Sequence, residues 1–145
     1  MIRLSFNKND ILIRDRGGKE IFDPVRRKWL VLSPEEWVRQ NILHYLIGQL
    51  HYPPSLVAVE KEVKLGELRK RCDLVIYNPP PVAWMIVECK EMNVKLNSDV
   101  LDQVLRYHIS LPSTYLVVTN GLYTYGFIKR ENAFSEIDTL PEFVR

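Results

Sequence analysis

The chain is poor in transition-metal ligands. Its 145 residues hold three histidines and two cysteines, with no C-x-x-C pair, which argues against a zinc site. A strong charge of one sign is also lacking. The net charge is +2, so no global field marks a nucleic-acid binder, and any basic footprint must be local. No apolar run reaches the roughly 20 residues of a membrane helix. The start, Met1-Ile2-Arg3-Leu4-Ser5-Phe6-Asn7-Lys8, has no signal-peptide core. A cytoplasmic protein with no membrane partner is the expectation. Gly17-Gly18-Lys19 lacks the Walker spacing, so it is not a phosphate loop. In a reducing cytosol Cys72 and Cys89 are expected as free, buried thiols facing away from the charged groups beside them.

A hydrophobic content of 46% and a charged content of 26% suit an ordinary globular core. The length fits one domain over residues 1–145. Residues 1–22 read as an N-terminal arm or hairpin, 23–129 as the core, and 130–145 as a weakly specified C-terminal tail. There are no repeats and no low-complexity linker.

The chain is organised around Arg71-Cys72-Asp73-Leu74-Val75-Ile76-Tyr77, the turn Asn78-Pro79-Pro80-Pro81, and Ala83-Trp84-Met85-Ile86-Val87-Glu88-Cys89-Lys90. Two apolar runs joined by a short connection predict a β-hairpin. Asp73 lies near the start of one run, and Glu88 and Lys90 close the other. Antiparallel pairing sets these ends side by side. Residues two apart share a face, so Glu88 and Lys90 point together and Cys89 points away. Carboxylates at the end of such a run are costly to desolvate unless paired or bound to a cation. A divalent ion such as Mg²⁺ takes this donor set, with Mn²⁺ as its substitute. A plain ion pair from Lys90 to Glu88 or Asp73 is the alternative.

Asp73, then fourteen residues, then Glu88-Cys89-Lys90 resembles the D-x(n)-E-x-K signature of the PD-(D/E)xK nucleases. With Ser33-Pro34-Glu35-Glu36-Trp37-Val38-Arg39-Gln40, Asp102-Gln103-Val104-Leu105-Arg106-Tyr107 and Val118-Thr119-Asn120-Gly121, the text from about residue 23 to 129 resembles the N-terminal nuclease domain of type I restriction enzyme R subunits. The resemblance implies an α/β, restriction-endonuclease-like core of order α-β-β-β-α-β, with a mixed central sheet flanked by helices and a small N-terminal β addition. It implies a Mg²⁺-dependent endonuclease acting on DNA. Asp73, Glu88 and the Cys89 carbonyl would hold the metal, and Lys90 would orient the attacking water. In this family a glutamate from the first helix often approaches the metal, which would be Glu36. Gln103 and Tyr107 match a Q-x-x-x-Y motif that contacts the DNA backbone. The resembled subunits couple cutting to an ATP-driven translocase. A chain of this length without a Walker sequence is expected to depend on such a partner, on other restriction-modification subunits, or on a homodimer. Two other readings remain: a non-catalytic DNA-binding or assembly module, and a nuclease acting on RNA or branched DNA.

The other signals are local. Ile11-Leu12-Ile13 reads as a short strand, and Arg26-Arg27-Lys28 as a basic turn or a DNA backbone contact. Ser33 as N-cap, Pro34 at N1 and Glu36 at N3 open a helix with a capping box, which explains Glu36 without a metal. Val38, Ile42, Leu46 and Leu50 form its buried stripe. Arg39 would reach a phosphate or pair with Glu35. Residues 57–65 read as a strand with Val57, Val59, Lys61 and Val63 on one face and Ala58, Glu60, Glu62 and Lys64 on the other. Residues 66–71 read as a turn whose Arg69, Lys70 and Arg71 would contact DNA phosphates or only solubilise a loop. A second helix follows from Asn97-Ser98-Asp99, then a strand over 113–119, an Asn120-Gly121 turn and a returning strand.

Overall fold

The computed structural model describes residues 1–7 and 10–144. Three strands, β1 (Ile13–Asp15), β2 (Lys19–Asp23) and β3 (Lys28–Val31), make a small antiparallel sheet. Helix α1 (Pro34–Gly48) follows, then β4 (Val57–Leu65), β5 (Leu68–Tyr77), β6 (Ala83–Cys89), helix α2 (Ser98–Ser110), β7 (Ser113–Thr119), β8 (Thr124–Arg130) and β9 (Ala133–Ile137). The last six strands form one mixed sheet in chain order, with β6 and β7 parallel and every other neighbour antiparallel. The parallel step needs a crossover, and α2 supplies it. Among the described residues no helix is long and apolar enough to cross a membrane.

The helices cover opposite faces of the large sheet, as a two-faced apolar sheet requires. On one face Val38, Ile42 and Leu46 of α1 pack with Leu74, Ile76, Met85, Val87, Cys89 and Val117. On the other, Val100, Val104 and Tyr107 of α2 pack with Cys72, Val75, Ile86, Leu116 and Val118. Val38, Ile42 and Leu46 of the expected stripe are thus buried on α1, while Leu50, buried too, lies beyond the helix end at Gly48. Ser33 caps the helix through its Oγ, which accepts from the Glu36 N–H at 3.0 Å. Asn97 caps α2 in the same way, accepting from Asp99 and Val100.

The expected alternation of β4 holds only in part. Val57 and Val59 pack on the α1 side, but Val63 and Leu65 pack on the α2 side. β5 switches as well: Leu74 and Ile76 lie on the α1 side, and Cys72 on the α2 side. The register is continuous across the switch, with Val59 facing Leu74 and Lys61 facing Cys72. Glu60, opposite Asp73, has φ +54°, a backbone region that non-glycine residues rarely occupy. One such residue shifts the phase of side chains along a strand, as a bulge does. The irregularity sits beside Asp73, where it re-aims that carboxylate toward α1.

Three other expectations are revised. Residues 68–71 are strand, because β4 and β5 close through the two-residue turn Gly66-Glu67, where Gly66 has φ +64°. The tail reading of 130–145 misses β9, which pairs with β8 from Ala133 to Ile137. Asn120-Gly121 does turn the chain, but over four residues, with Asn120 Oδ1 accepting from Leu122 and Tyr123. Gly121 has φ +87°, and a Cβ there would sit 3.3 Å from Val38 of α1.

Candidate active site

Asp73, Glu88 and Lys90 come together where β5 and β6 meet. Asp73 Oδ2 accepts the backbone N–H of Cys89 at 2.7 Å, tying the middle of β5, not its start as the sequence suggests, to the end of β6. Glu88 is 4% exposed, and its Oε2 is buried without a hydrogen-bond partner. Its other oxygen, Oε1, lies 3.7 Å from Lys90 Nζ. Burial, then the neighbouring Asp73 charge, pushes the Glu88 carboxyl up to about 9, with Lys90 acting the other way. Buried polar atoms without a partner are uncommon; Glu88 Oε2 is one of five among the described residues, with atoms of Arg26, Gln40, Asn41 and His44, and it is the one beside a second carboxylate and a lysine.

The second helix supplies a chain behind Lys90. Lys90 Nζ donates to Gln103 Oε1 at 3.3 Å, Gln103 Nε2 donates to the Tyr107 hydroxyl at 3.0 Å, and that hydroxyl donates to the Arg71 carbonyl at 3.3 Å. Tyr107 is buried, and burial pushes its hydroxyl up to about 12. Its place is therefore under Gln103, bracing it, with the ring in the core.

The first helix supplies Arg39, which is 6% exposed. Its Nη2 and Nε donate to Asp73 Oδ1 at 2.7 and 3.2 Å, and its Nη1 donates to Glu36 Oε1 at 2.7 Å. Glu60 and Glu35 each lie 3.4 Å from it. Burial works against the charge of this guanidinium, but Asp73 and Glu36 outweigh it and hold the group protonated. Arg39 is thus committed to four carboxylates, Glu35 among them as the helical spacing suggests. Glu36 caps through its N–H, while its carboxylate goes to Arg39 and to Gln40 Nε2 at 3.2 Å. The helix glutamate in the cleft is Glu35, which lines a cavity of about 480 Å³ with Lys90, Lys95, Asp99 and Gln103. Burial and then Asp73 raise the Glu35 carboxyl above its usual range. Sequence reasoning missed this role because Glu35 and Glu36 are adjacent, and only the helix's rotation tells them apart.

The small sheet braces the arrangement from behind. Asp23, fully buried at the end of β2, accepts from Arg26 Nε at 2.7 Å and from Gln40 Nε2 at 3.0 Å. Arg26 Nη1 reaches Glu60 Oε2 at 2.9 Å. Arg26 therefore leaves the basic run, while Arg27 and Lys28 stay exposed. Arg69, Lys70 and Arg71 are exposed along the first half of β5; Arg69 pairs with Glu62 at 3.3 Å, and Lys70 lines a groove with Gln103 and Arg106. Cys72 and Cys89 are free and buried, on opposite faces of the sheet. Burial pushes the Cys72 thiol up to about 12, and the Cys89 thiol far above its usual value.

Among the described residues no three His, Cys, Asp or Glu side chains converge as a ready metal cage. The donors do fit an ion that needs fewer protein ligands. Mg²⁺ is commonly held by one or two carboxylates, with water and substrate phosphate completing its shell. Asp73 and Glu88 supply two, and the bare Oε2 of Glu88 is the atom such an ion would satisfy.

The sequence model described as Type I restriction enzyme R protein N terminus matches residues 34–141. The match takes in both helices and all six strands of the large sheet, and leaves out the small sheet. The chain belongs to this family. No curated protein matches it.

Proposed function

We propose that this member of the restriction R-protein N-terminal family is a Mg²⁺-dependent endonuclease of the PD-(D/E)xK type, with a restriction-endonuclease-like core, hydrolysing DNA phosphodiester bonds in the cytoplasm. The observation that carries the reading is Glu88. A carboxyl this buried, pushed up to about 9 by burial and by Asp73 beside it, next to a second carboxylate and a lysine, has little purpose in a merely structural sheet.

In this reading Asp73, Glu88 and the Cys89 carbonyl hold the ion. A bound Mg²⁺ polarises a phosphate oxygen and lowers the pKa of a coordinated water. Lys90 holds the attacking water in line and offsets charge that develops on the phosphate. Gln103 fixes where the Lys90 ammonium points, and Tyr107 fixes Gln103. Arg69, Lys70 and Arg71 contribute phosphate contacts along the duplex. As part of a restriction system, the domain receives its DNA from a translocating partner or through self-association.

The test is cleavage of plasmid DNA in Mg²⁺ by purified Asp73→Ala, Glu88→Ala and Lys90→Ala variants, each checked for folding by circular dichroism, with any translocating partner supplied. Loss of cleavage in all three with the fold intact is expected. Full activity in any two removes the mechanism.

A further inference from the structure

We propose that Arg39 and a divalent cation compete for Asp73, so that Arg39 sets how tightly the site takes its metal. The inference rests on the metal-dependent reading and concerns the same site.

Both oxygens of Asp73 are engaged. Oδ1 accepts two N–H groups of Arg39, and Oδ2 accepts the Cys89 N–H. Glu88 Oε2 accepts no hydrogen bond, whereas Asp73 keeps one lone pair, on Oδ2, and its Oδ1 is filled by Arg39. An ion drawn to Glu88 must therefore share Asp73 with a guanidinium. Two positive centres on one carboxylate repel, and the repulsion is strong where both are shielded from water.

The surroundings give Arg39 somewhere to go. Stranding a buried cation is costly, but three further carboxylates already touch this one. Glu36 lies at 2.7 Å, and Glu35 and Glu60 at 3.4 Å. Glu36 and Glu60 are themselves fixed, the first by Gln40 and the second by Arg26. Arg39 can release Asp73 and remain paired. The irregularity at Glu60 gains a purpose here, because it brings a carboxylate of the edge strand to the rear of the guanidinium.

The sign of one measurement separates competition from simple bracing. If Arg39 only props Asp73, removing it loosens the site and weakens metal binding. If Arg39 competes, removing its charge strengthens binding. Calorimetric titration of Mn²⁺ into the full chain and into Arg39→Met, at one pH and salt, reads this directly. Asp73→Asn marks the site and should abolish the heat. We expect Arg39→Met to bind Mn²⁺ at least ten-fold tighter than the unaltered chain, with a larger Mn²⁺-induced rise in melting temperature. Binding seen only in Arg39→Met is the extreme form of the same result. Equal or weaker binding, while Asp73→Asn still loses it, overturns the competition and leaves the metal reading standing. No Mn²⁺ binding by any of these proteins overturns both. Should Arg39→Met fail to fold, the unaltered chain still decides. The ¹⁵N resonance of Arg39 Nε, identified by its absence in Arg39→Lys, should move as Mg²⁺ is added. A resonance that stays still while calorimetry registers Mg²⁺ at a site dependent on Asp73 rejects the proposal.

Discussion

Lys90 and Gln103 meet across the gap between sheet and helix, with Nζ donating to Oε1 at 3.3 Å. Gln103 shares the ammonium with Glu88, whose Oε1 lies 3.7 Å from it. Its role in the proposed chemistry is positional, and that has a measurable signature. Gln103→Ala should lower the cleavage rate by about 10-fold or more, the usual scale for losing an orienting partner. Mn²⁺ affinity should hardly change, because Gln103 reaches the lysine and not the carboxylates. Calorimetry beside single-turnover cleavage checks the split, and metal binding lost in Gln103→Ala contradicts it.

Glu88 should cost stability in the absence of metal. Its folded carboxyl is pushed up to about 9, above the ordinary range near 4.5. Between those values the folded state binds a proton that the unfolded state has released. Stability is therefore full below the ordinary range, falls as pH rises toward 9, and levels off beyond. Glu88→Gln removes this slope. In chelator at pH 8 it should be more stable than the unaltered chain by about 1 kcal/mol or more, read as roughly 2–4 °C per kcal/mol in melting temperature at this length. A variant that melts lower at pH 8 contradicts the account of Glu88.

Cys72 and Cys89 should react slowly. Both are fully buried, and burial raises both thiols, Cys72 to about 12. The thiolate is the reactive form, so a thiol reagent should label neither at an appreciable rate until denaturant is added. Rapid labelling of the native protein, or a disulfide in freshly purified material, counts against the burial described.

How legible all this is in the sequence depends on the range of the interactions. The cap at Ser33, the hairpin holding Asp73 and Glu88, and the Gln103 and Tyr107 spacing on α2 are local patterns, and each stands where local rules put it. Arg39 to Asp73 spans 34 residues, as does Arg26 to Glu60. No local rule pairs them, so Arg26 reads as part of a basic run and Arg39 as a phosphate contact or a partner of Glu35. The phase change at Glu60 is hidden for another reason. Glutamate carries no turn signal, so nothing local announces the positive φ. β9 escapes because an edge strand with Ser135 and Glu136 has no apolar alternation to show.

DNA engagement should be weak and local. Arg26 and Arg39 are drawn inward onto carboxylates, while Lys95 lines the cavity with Lys90 and Arg69, Lys70 and Arg71 are exposed along the first half of β5. Replacing all three with alanine should lower affinity for any duplex sequence alike. It should also flatten the dependence of binding on salt by about 0.9 in logarithmic slope for each phosphate no longer neutralised. An unchanged salt slope places the DNA elsewhere. Isolated chain at nanomolar concentration and near-physiological salt should cut linear duplex poorly, and rapid ATP-independent cutting by the monomer removes the need for a partner.

The proposed chemistry depends on one ion between two carboxylates. A crystal soaked in Mn²⁺ and measured for anomalous scattering tests it most directly. We predict a peak within coordination distance of both Asp73 and Glu88, with Arg39 withdrawn onto Glu36 and Glu60. A soak that leaves Glu88 Oε2 bare and Asp73 held by Arg39, with manganese elsewhere or nowhere, contradicts the metal-dependent nuclease.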